Sequence, residues 1–524
     1  MMRRLWTAVA LALAVGASTS RVLSDTDDIV DTVPKDVSCT KVKKCTDNNE
    51  CVLVCDRGSV EIDPWAAHAL KLQRQLAYTH SLCHAQLPGS HNSAINLVDG
   101  YGVEDHVFES ILKYFPWFTS NLVVHTNDQL FSMTDQLRMG ARFMELDVHW
   151  VDDDLRIAHC GGFDLPVLDD FVAGINAIAK LLGMEIQWDS ETVGCKPSLS
   201  SIPAHQQRPA LHALQEIATW VHAPENAGEF VLIYFDDQIN LVKWHKVELL
   251  LDYIKQAFDV SEIFKPSDVQ DGASWPTYEA LLASGKRVAF LSVSDYSPIG
   301  DELLFHKYTL CGWQEPDLPF QPYPACSFKN WKTSTIENDH ILFRPETSEI
   351  QYGFINADGH VGPNEFLIDN AQLPRLMECN VKIPSPDNLT PNRMAAMIWS
   401  FAENEPSDLS ACVAMPRGTT ARWASHDCTS TKGFRAACFT NATTESSFAH
   451  WTLGDVSDGH RVTCPSGYAY GVPRNGYENR ILFDLLWNDS PDVTAGIWIN
   501  AKPFLDRMHN KAPVYDYGQA NLAS

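Results

Sequence analysis

After its first few residues the sequence contains no apolar run approaching the roughly 18 residues that a membrane-spanning helix needs, so no later segment reads as crossing a bilayer. Positive charge is scarce. The chain has 40 Lys and Arg against 66 Asp and Glu, a net charge of −26. That balance disfavours nucleic acid, whose phosphates need a basic face. It also disfavours long-range attraction to an anionic membrane, so a lipid substrate would have to be held by local apolar contacts or through a cation, touching the membrane surface only transiently. No repeat of fixed period and no low-complexity tract is present, which argues against a solenoid or a long disordered linker. What is present is a globular composition, 45% hydrophobic and 10% aromatic, over 524 residues. That length allows more than one domain, since an α/β barrel alone takes about 250 residues.

The N-terminus reads as an export signal over residues 1–20. Arg3 and Arg4 precede a mostly apolar stretch from Leu5 to Val15, followed by the small residues Gly16, Ala17 and Ser18. Fourteen cysteines suit the same oxidising, extracellular destination. Four of them, Cys39, Cys45, Cys51 and Cys55, crowd a polar segment within residues 21–65. Their spacing matches no common zinc knuckle and no His lies among them, so disulfides are the expected chemistry. Asn388, Asn441 and Asn488 begin glycosylation sequons, with Pro391 and Pro491 directly after the first and third.

Residues 66–400 show buried strands separated by helical patterns. FVLIYF (Phe230 to Phe235) and RVAFLSV (Arg287 to Val293) are continuous apolar runs suited to strands covered on both faces. Pro209 to Val221 carries apolar residues at three- and four-residue spacing, with Pro at the start where a helix tolerates it. This alternation predicts a parallel α/β sheet, and at this size a distorted TIM-like (β/α) barrel. Residues 401–524 differ in texture: Trp423, Cys412, Cys428 and Cys438 lie in Gly/Ser/Thr-rich sequence, which predicts a disulfide-stapled, β-rich C-terminal module. WSFAENEPSD and the Trp-then-Cys ending faintly resemble a C-type lectin, with a structural cap as the plainer reading.

Polar groups recur at the ends of the predicted barrel strands. His91 and Asn92 follow the first, Glu145 and Asp147 lie on the second, His159 ends the third, and Asp236 and Asp237 end the fourth. In a parallel barrel these C-terminal strand ends form the active-site face. Glu145 and Asp147 are two apart on a strand and so project to one side. Two carboxylates that close raise each other's proton affinity unless a hard divalent cation, Ca²⁺ or alternatively Mg²⁺, lies between them. Asn92 offers a side-chain carbonyl to the same cation, and Asp236 a further carboxylate. Lys286 and Arg344 are the candidate phosphate contacts.

The stretches LPGSHNSA, QLRMGARFMELDVHW, DLRIAHCGGFD and FVLIYFDDQ, in this order, resemble the X region of phosphatidylinositol-specific phospholipase C over roughly residues 75 to 240. The resemblance implies a distorted barrel and cleavage of a phospholipid at the phosphate–glycerol bond, giving diacylglycerol and a (cyclic) inositol phosphate. Asn92, Glu145 and Asp147 match the calcium-dependent members, whereas bacterial secreted members carry Arg at the place of Asp147. The family's Glu at the end of the fourth strand is replaced by Asp236, with Asp237 beside it as an alternative ligand. By this resemblance His91 stabilises charge on the phosphoryl oxygen, His159 protonates the leaving oxygen, and Glu145 serves as the base. The fifth strand has Ser292, Ser294 and Asp295 where calcium-dependent members cluster Lys, which argues against polyphosphorylated inositols. Two other readings remain. A glycerophosphodiester phosphodiesterase shares the barrel and the Glu-x-Asp pair, but has His-Arg where this chain has His91–Asn92. A secreted, non-catalytic lipid- or carbohydrate-binding protein would not need both histidines and all the acids.

Overall fold

The computed structural model describes residues 29–103, 127–158, 204–345 and 368–511, apart from short stretches at 48, 152, 238–239, 270–274, 317–318, 330–333, 431–432, 441–447 and 490–493, together with the backbone of two short strands at 122–124 and 352–354. The expected signal segment, His159 and Asn441 lie outside the described residues.

The N-terminal region is a three-stranded sheet of β1 (Val30–Asp31), β2 (Lys41–Cys45) and β3 (Cys51–Cys55), in the order β1-β3-β2. So few residues bury little apolar surface, and the sheet is stapled by Cys39–Cys55 and Cys45–Cys51. The Cys cluster is therefore a disulfide framework. Asp135 anchors it to the body of the protein, its buried carboxylate accepting hydrogen bonds from the backbone N–H groups of Gly58 (2.9 Å) and Val60 (3.1 Å).

Helix α1 (Pro64–Ala77) starts with Asp63 as its cap and Pro at the first turn, and buries Ala66, Ala69, Leu70, Gln73 and Leu76. The central sheet is then built from β4 (Gly89–Ser90), β5 (Phe143–Val151), β6 (Asp154–Ile157), β7 (Val231–Asp236), β8 (Val288–Ser292) and β9 (Leu304–His306). Its main path runs β9-β8-β7-β5-β4 with every neighbouring pair parallel, while β6 folds back antiparallel onto the end of β5. Between strands the chain forms α2 (Met133–Met139), α3 (Ala210–His222) and α4 (Val247–Ala257). The strands alternate strictly. Met144, Leu146, Val148, Ile233, Phe235 and Phe290 pack on the helix side, and Phe143, Leu232, Tyr234, Ala289 and Leu291 pack into a second, inner core. Burial on both faces is why these strands read as unbroken apolar runs.

Backbone hydrogen bonds carry the arc past β4. Leu87 and Gly89 donate to the carbonyls of Lys382 (2.8 Å) and Pro384 (3.0 Å), and Ile383 and Ser385 donate to Phe343 and Pro345 (both 3.1 Å). Phe343 belongs to the short pair formed by β10 (Trp313–Gln314) and β11 (Leu342–Phe343), which is again parallel. Among the described residues no ladder joins β10 back to β9, so the α/β sheet with its helices is present but the expected closed barrel is not. The reason is local: only residues 307–312 separate β9 from β10, and a parallel pair needs a crossover of a dozen or more. Cys83–Cys311 ties this junction to the segment preceding β4, and Cys326–Cys379 closes the next excursion.

The C-terminal module contains β12 (Cys412–Pro416), β13 (Ala424–His426), β14 (Phe434–Thr440), β15 (His450–Val456), β16 (Ala469–Tyr470), α5 (Gly476–Asn488) and β17 (Gly496–Ile499). The sheet order is β13-β12-β17-β14-β15, with β16 on β14, and Cys412–Cys428 and Cys438–Cys464 staple it. Its Trp423, Val413 and Ile497 share one apolar core with Leu70, Met377 and Trp399, and the Gly476 N–H donates to Gln86 Oε1 at 2.8 Å. Among the described residues no cysteine is free, and no helix is long and apolar enough to cross a membrane.

Candidate functional site

The C-terminal ends of β4, β5 and β7 stand side by side, and the register decides which side chains meet. Glu145 pairs with Tyr234 and Asp147 with Asp236 across the β5–β7 ladder, so these groups form one patch on the inner face of the sheet. Immediately after β4 the chain turns sharply: Asn92 has φ +42°, a left-handed conformation that Asn tolerates better than most residues. This turn directs the Asn92 N–H to Glu145 Oε2 at 3.0 Å and the Asn92 side-chain amide to Asp128 Oδ2 at 2.9 Å. Ser93 Oγ accepts the Glu145 N–H at 2.9 Å, fixing the same turn to β5.

His91 is largely buried and its Nδ1 lies 2.6 Å from Asp387 Oδ1, a fully buried carboxylate. A carboxylate only accepts, so Asp387 fixes the proton of the neutral imidazole on Nδ1. Glu145 Oε2 also accepts a hydrogen bond from the Arg344 guanidinium, and both side chains are almost completely buried. Arg344 then reaches Glu315 Oε1 at 3.3 Å, and Glu315 is further held by Lys307 (2.7 Å), the Trp313 indole (2.7 Å) and the Tyr234 hydroxyl (3.1 Å). Burial alone would raise the proton affinity of Glu315, but the neighbouring Arg344 and Lys307 charges outweigh it and hold its carboxyl down at about 2.

Asp147 is the opposite case. It is 5% exposed, and its Oδ1 accepts no hydrogen bond among the described residues. Burial, then the charges of Glu145 and Asp236, push its carboxyl well above the usual carboxylate range, with Asp128 adding to the effect and His91 opposing it. Among the described residues, the Arg344 guanidinium and the His91 imidazole bond to members of this acid-rich group, which comprises Asp128, Glu145, Asp147, Asp236 and Asp387. Ligand atoms of His91, Asp128 and Asp387 lie within 4.8 Å of one another. A buried carboxylate oxygen without a donor among the described residues, beside several further acids, is a set of groups that could hold a cation.

The expected residues are distributed as follows. His91, Asn92, Glu145, Asp147 and Asp236 come together. Asp237 turns away: it is fully buried, accepting hydrogen bonds from the Leu241 N–H at 2.9 Å and from Ser294 Oγ. Arg344 is at the site but is committed to Glu145 and Glu315, so it is a structural counter-charge and not an open phosphate contact. Lys286 does not join them. It precedes the start of β8, at the far end of the strands, and is held by Asp268 and the Ile263 carbonyl, both at 2.8 Å. Asn388 directly follows Asp387 and is half-buried, with its Oδ1 enclosed. Asp128, Asp387 and Gln129 were not anticipated. Asp387 lies in a Pro-rich stretch, Pro384–Ser–Pro386, that reads as a loop, and no local period marks it.

No protein-family model matches the chain. It is similar to two uncharacterized proteins of Mycobacterium tuberculosis, one from each of two strains, at 23% identity over 441 residues, covering 80% of this chain and 77% of each relative.

Proposed function

We propose that this cluster is the active site of an exported, cation-dependent phosphodiesterase that cleaves a phospholipid of the phosphatidylinositol type, on an arc of strands that is a distorted (β/α) barrel left open between β9 and β10. The observation that carries the reading is the meeting of the His91–Asp387 pair with the buried, donor-poor Asp147 at the C-terminal ends of adjacent parallel strands. Six disulfides support export.

Asn92, Glu145, Asp147 and Asp236 would hold the cation, Ca²⁺ before Mg²⁺, because an all-oxygen set with a deformable outline suits the larger ion. When bound it supplies positive charge that favours ionisation of the attacking hydroxyl. The rest falls to the chain. A hydroxyl of the headgroup attacks phosphorus, its proton passes to a carboxylate, the phosphorus–oxygen bond to glycerol breaks, and the glycerol oxygen takes a proton from His159. Glu145 already accepts hydrogen bonds from Asn92 and Arg344, whereas Asp147 Oδ1 accepts none among the described residues, so Asp147 is the carboxylate with an oxygen open to that proton. His91, held by Asp387, donates through Nε2 to the phosphoryl oxygen as the imidazolium.

The test is cleavage of phosphatidylinositol, glycerophosphoinositol and sphingomyelin, each with and without chelator. Turnover of phosphatidylinositol that the chelator abolishes supports the reading. Turnover of glycerophosphoinositol alone would favour a glycerophosphodiesterase, and no turnover of any substrate would overturn the proposal.

A further inference from the structure

His91 and Asp387 are 296 residues apart, and the backbone hydrogen bond that joins their segments at this level, His91 N–H to the Pro386 carbonyl, is long at 3.5 Å. A side-chain hydrogen bond of 2.6 Å needs better alignment than that contact provides. The alignment comes from Gln129, which is fully buried. Its amide nitrogen donates to the His91 carbonyl at 2.6 Å and the Pro386 carbonyl at 3.1 Å, while its Oε1 accepts the Leu389 N–H at 2.9 Å. One planar amide therefore grips both sides of the junction. Asp128 repeats the pattern, its carboxylate accepting from Asn92 Nδ2 at 2.9 Å and its backbone carbonyl accepting the Asn388 N–H at 2.7 Å. Both residues are fixed in turn by the Ile95 carbonyl, which accepts their two backbone N–H groups at 3.0 Å each.

We propose that Gln129 is the positioning residue for the His91–Asp387 pair, with Asp128 as the second jaw of the same clamp, an inference that rests on reading that pair as catalytic. Gln129 touches no reacting atom. It acts by holding the imidazole against its carboxylate, so its loss should lower kcat and leave KM nearly unchanged. Gln129→Met keeps most of the volume and removes all three hydrogen bonds. A shift of about 1 Å at a reacting group costs up to about 100-fold, so kcat should fall about 10- to 100-fold while KM changes less than about threefold. In an Asp387→Asn background the same substitution should cost less than about threefold, because the pair it positions is already broken. Equal losses in both backgrounds would mean that Gln129 serves the fold in general, and would overturn the inference.

A measurement without turnover decides independently. The His91 Nδ1 proton, bonded to a carboxylate at this distance, should give a far-downfield NMR resonance that Asp387→Asn abolishes. Gln129→Met should shift it upfield and speed its exchange with water; an unchanged resonance refutes the clamp. Where Gln129→Met does not fold, Gln129→Asn, which withdraws the amide by one methylene, is read by the same signal. A wild-type protein inactive on every phosphodiester would sink the proposed function alone, and the resonance would still test the clamp.

Discussion

Asp387→Asn isolates the electrostatic contribution of the buried carboxylate to His91. The side chain keeps its shape and loses one charge, 2.6 Å from Nδ1. Asp387 has no exposed side-chain surface and His91 only 12%, so solvent screens the pair little. For an effective dielectric of about 20, a unit charge about 4 Å from the centre of an imidazolium contributes about 4 kcal/mol. At about 1.4 kcal/mol per factor of ten, that is about three orders of magnitude. The amide can also turn its NH₂ toward Nδ1 and stabilise the wrong tautomer, which adds to the loss. The expected result is a fall in kcat/KM on phosphatidylinositol on the order of 10³. It would be measured as initial rates from about pH 5 to pH 9, so that a displaced optimum is not mistaken for a lost rate. His91→Ala in the same assay should lose on the order of 10²–10³. An Asp387→Asn enzyme within about threefold of wild type at its own optimum would refute the reasoning, since the carboxylate would then be a packing group only.

Arg344→Met strands Glu145 and Glu315 without their shared counter-charge; chemical denaturation should show a loss of about 3–5 kcal/mol, and a change under about 1 kcal/mol would contradict the buried pair. Calcium at about 100 times its dissociation constant should stabilise the wild type by about 2.7 kcal/mol in thermal unfolding, and Asp147→Asn should lose most of that gain; an equal shift in the variant would place the cation elsewhere. Glu315 has its folded-state carboxyl depressed to about 2, so its stabilisation is present above the ordinary carboxylate range and is lost as the pH falls toward 2. Glu315→Gln should therefore flatten the acid limb of the stability curve, and an unaltered limb would count against the assignment. Thiol titration of the unreduced, unfolded protein should find at most two thiols, because twelve of the fourteen cysteines are paired in the six described disulfides; more than two would contradict the framework.

How much was legible follows from the range of each interaction. The shared side of Glu145 and Asp147 is a consequence of the two-residue period of a strand, and it needs no knowledge of neighbours. The position of His91–Asn92 at a strand end, the stapled N-terminal region and the parallel α/β sheet were likewise written in local pattern and composition. Other assignments needed a second strand. Asp236 and Asp237 are equivalent in sequence, and the β5–β7 register separates them: Asp236 lies beside Asp147, while Asp237 accepts the Leu241 N–H. Lys286 and Arg344 are equally basic, but one precedes its strand and the other follows its own, which puts them at opposite ends of the sheet.

By itself, then, the sequence determined which groups each strand end would present, because side-chain direction on a strand is set by neighbours one and two residues away. Only the tertiary structure decided what those groups meet. Asp387 reaches His91 across 296 residues through a segment whose Pro384 and Pro386 lack the N–H groups a strand pattern would show. Arg344 neutralises Glu145 across 199 residues, and Gln129 joins segments on either side of the sheet's far edge. Such pairings carry no local period, since a buried charge or amide takes its partner from wherever folding brings a complementary group within hydrogen-bond distance.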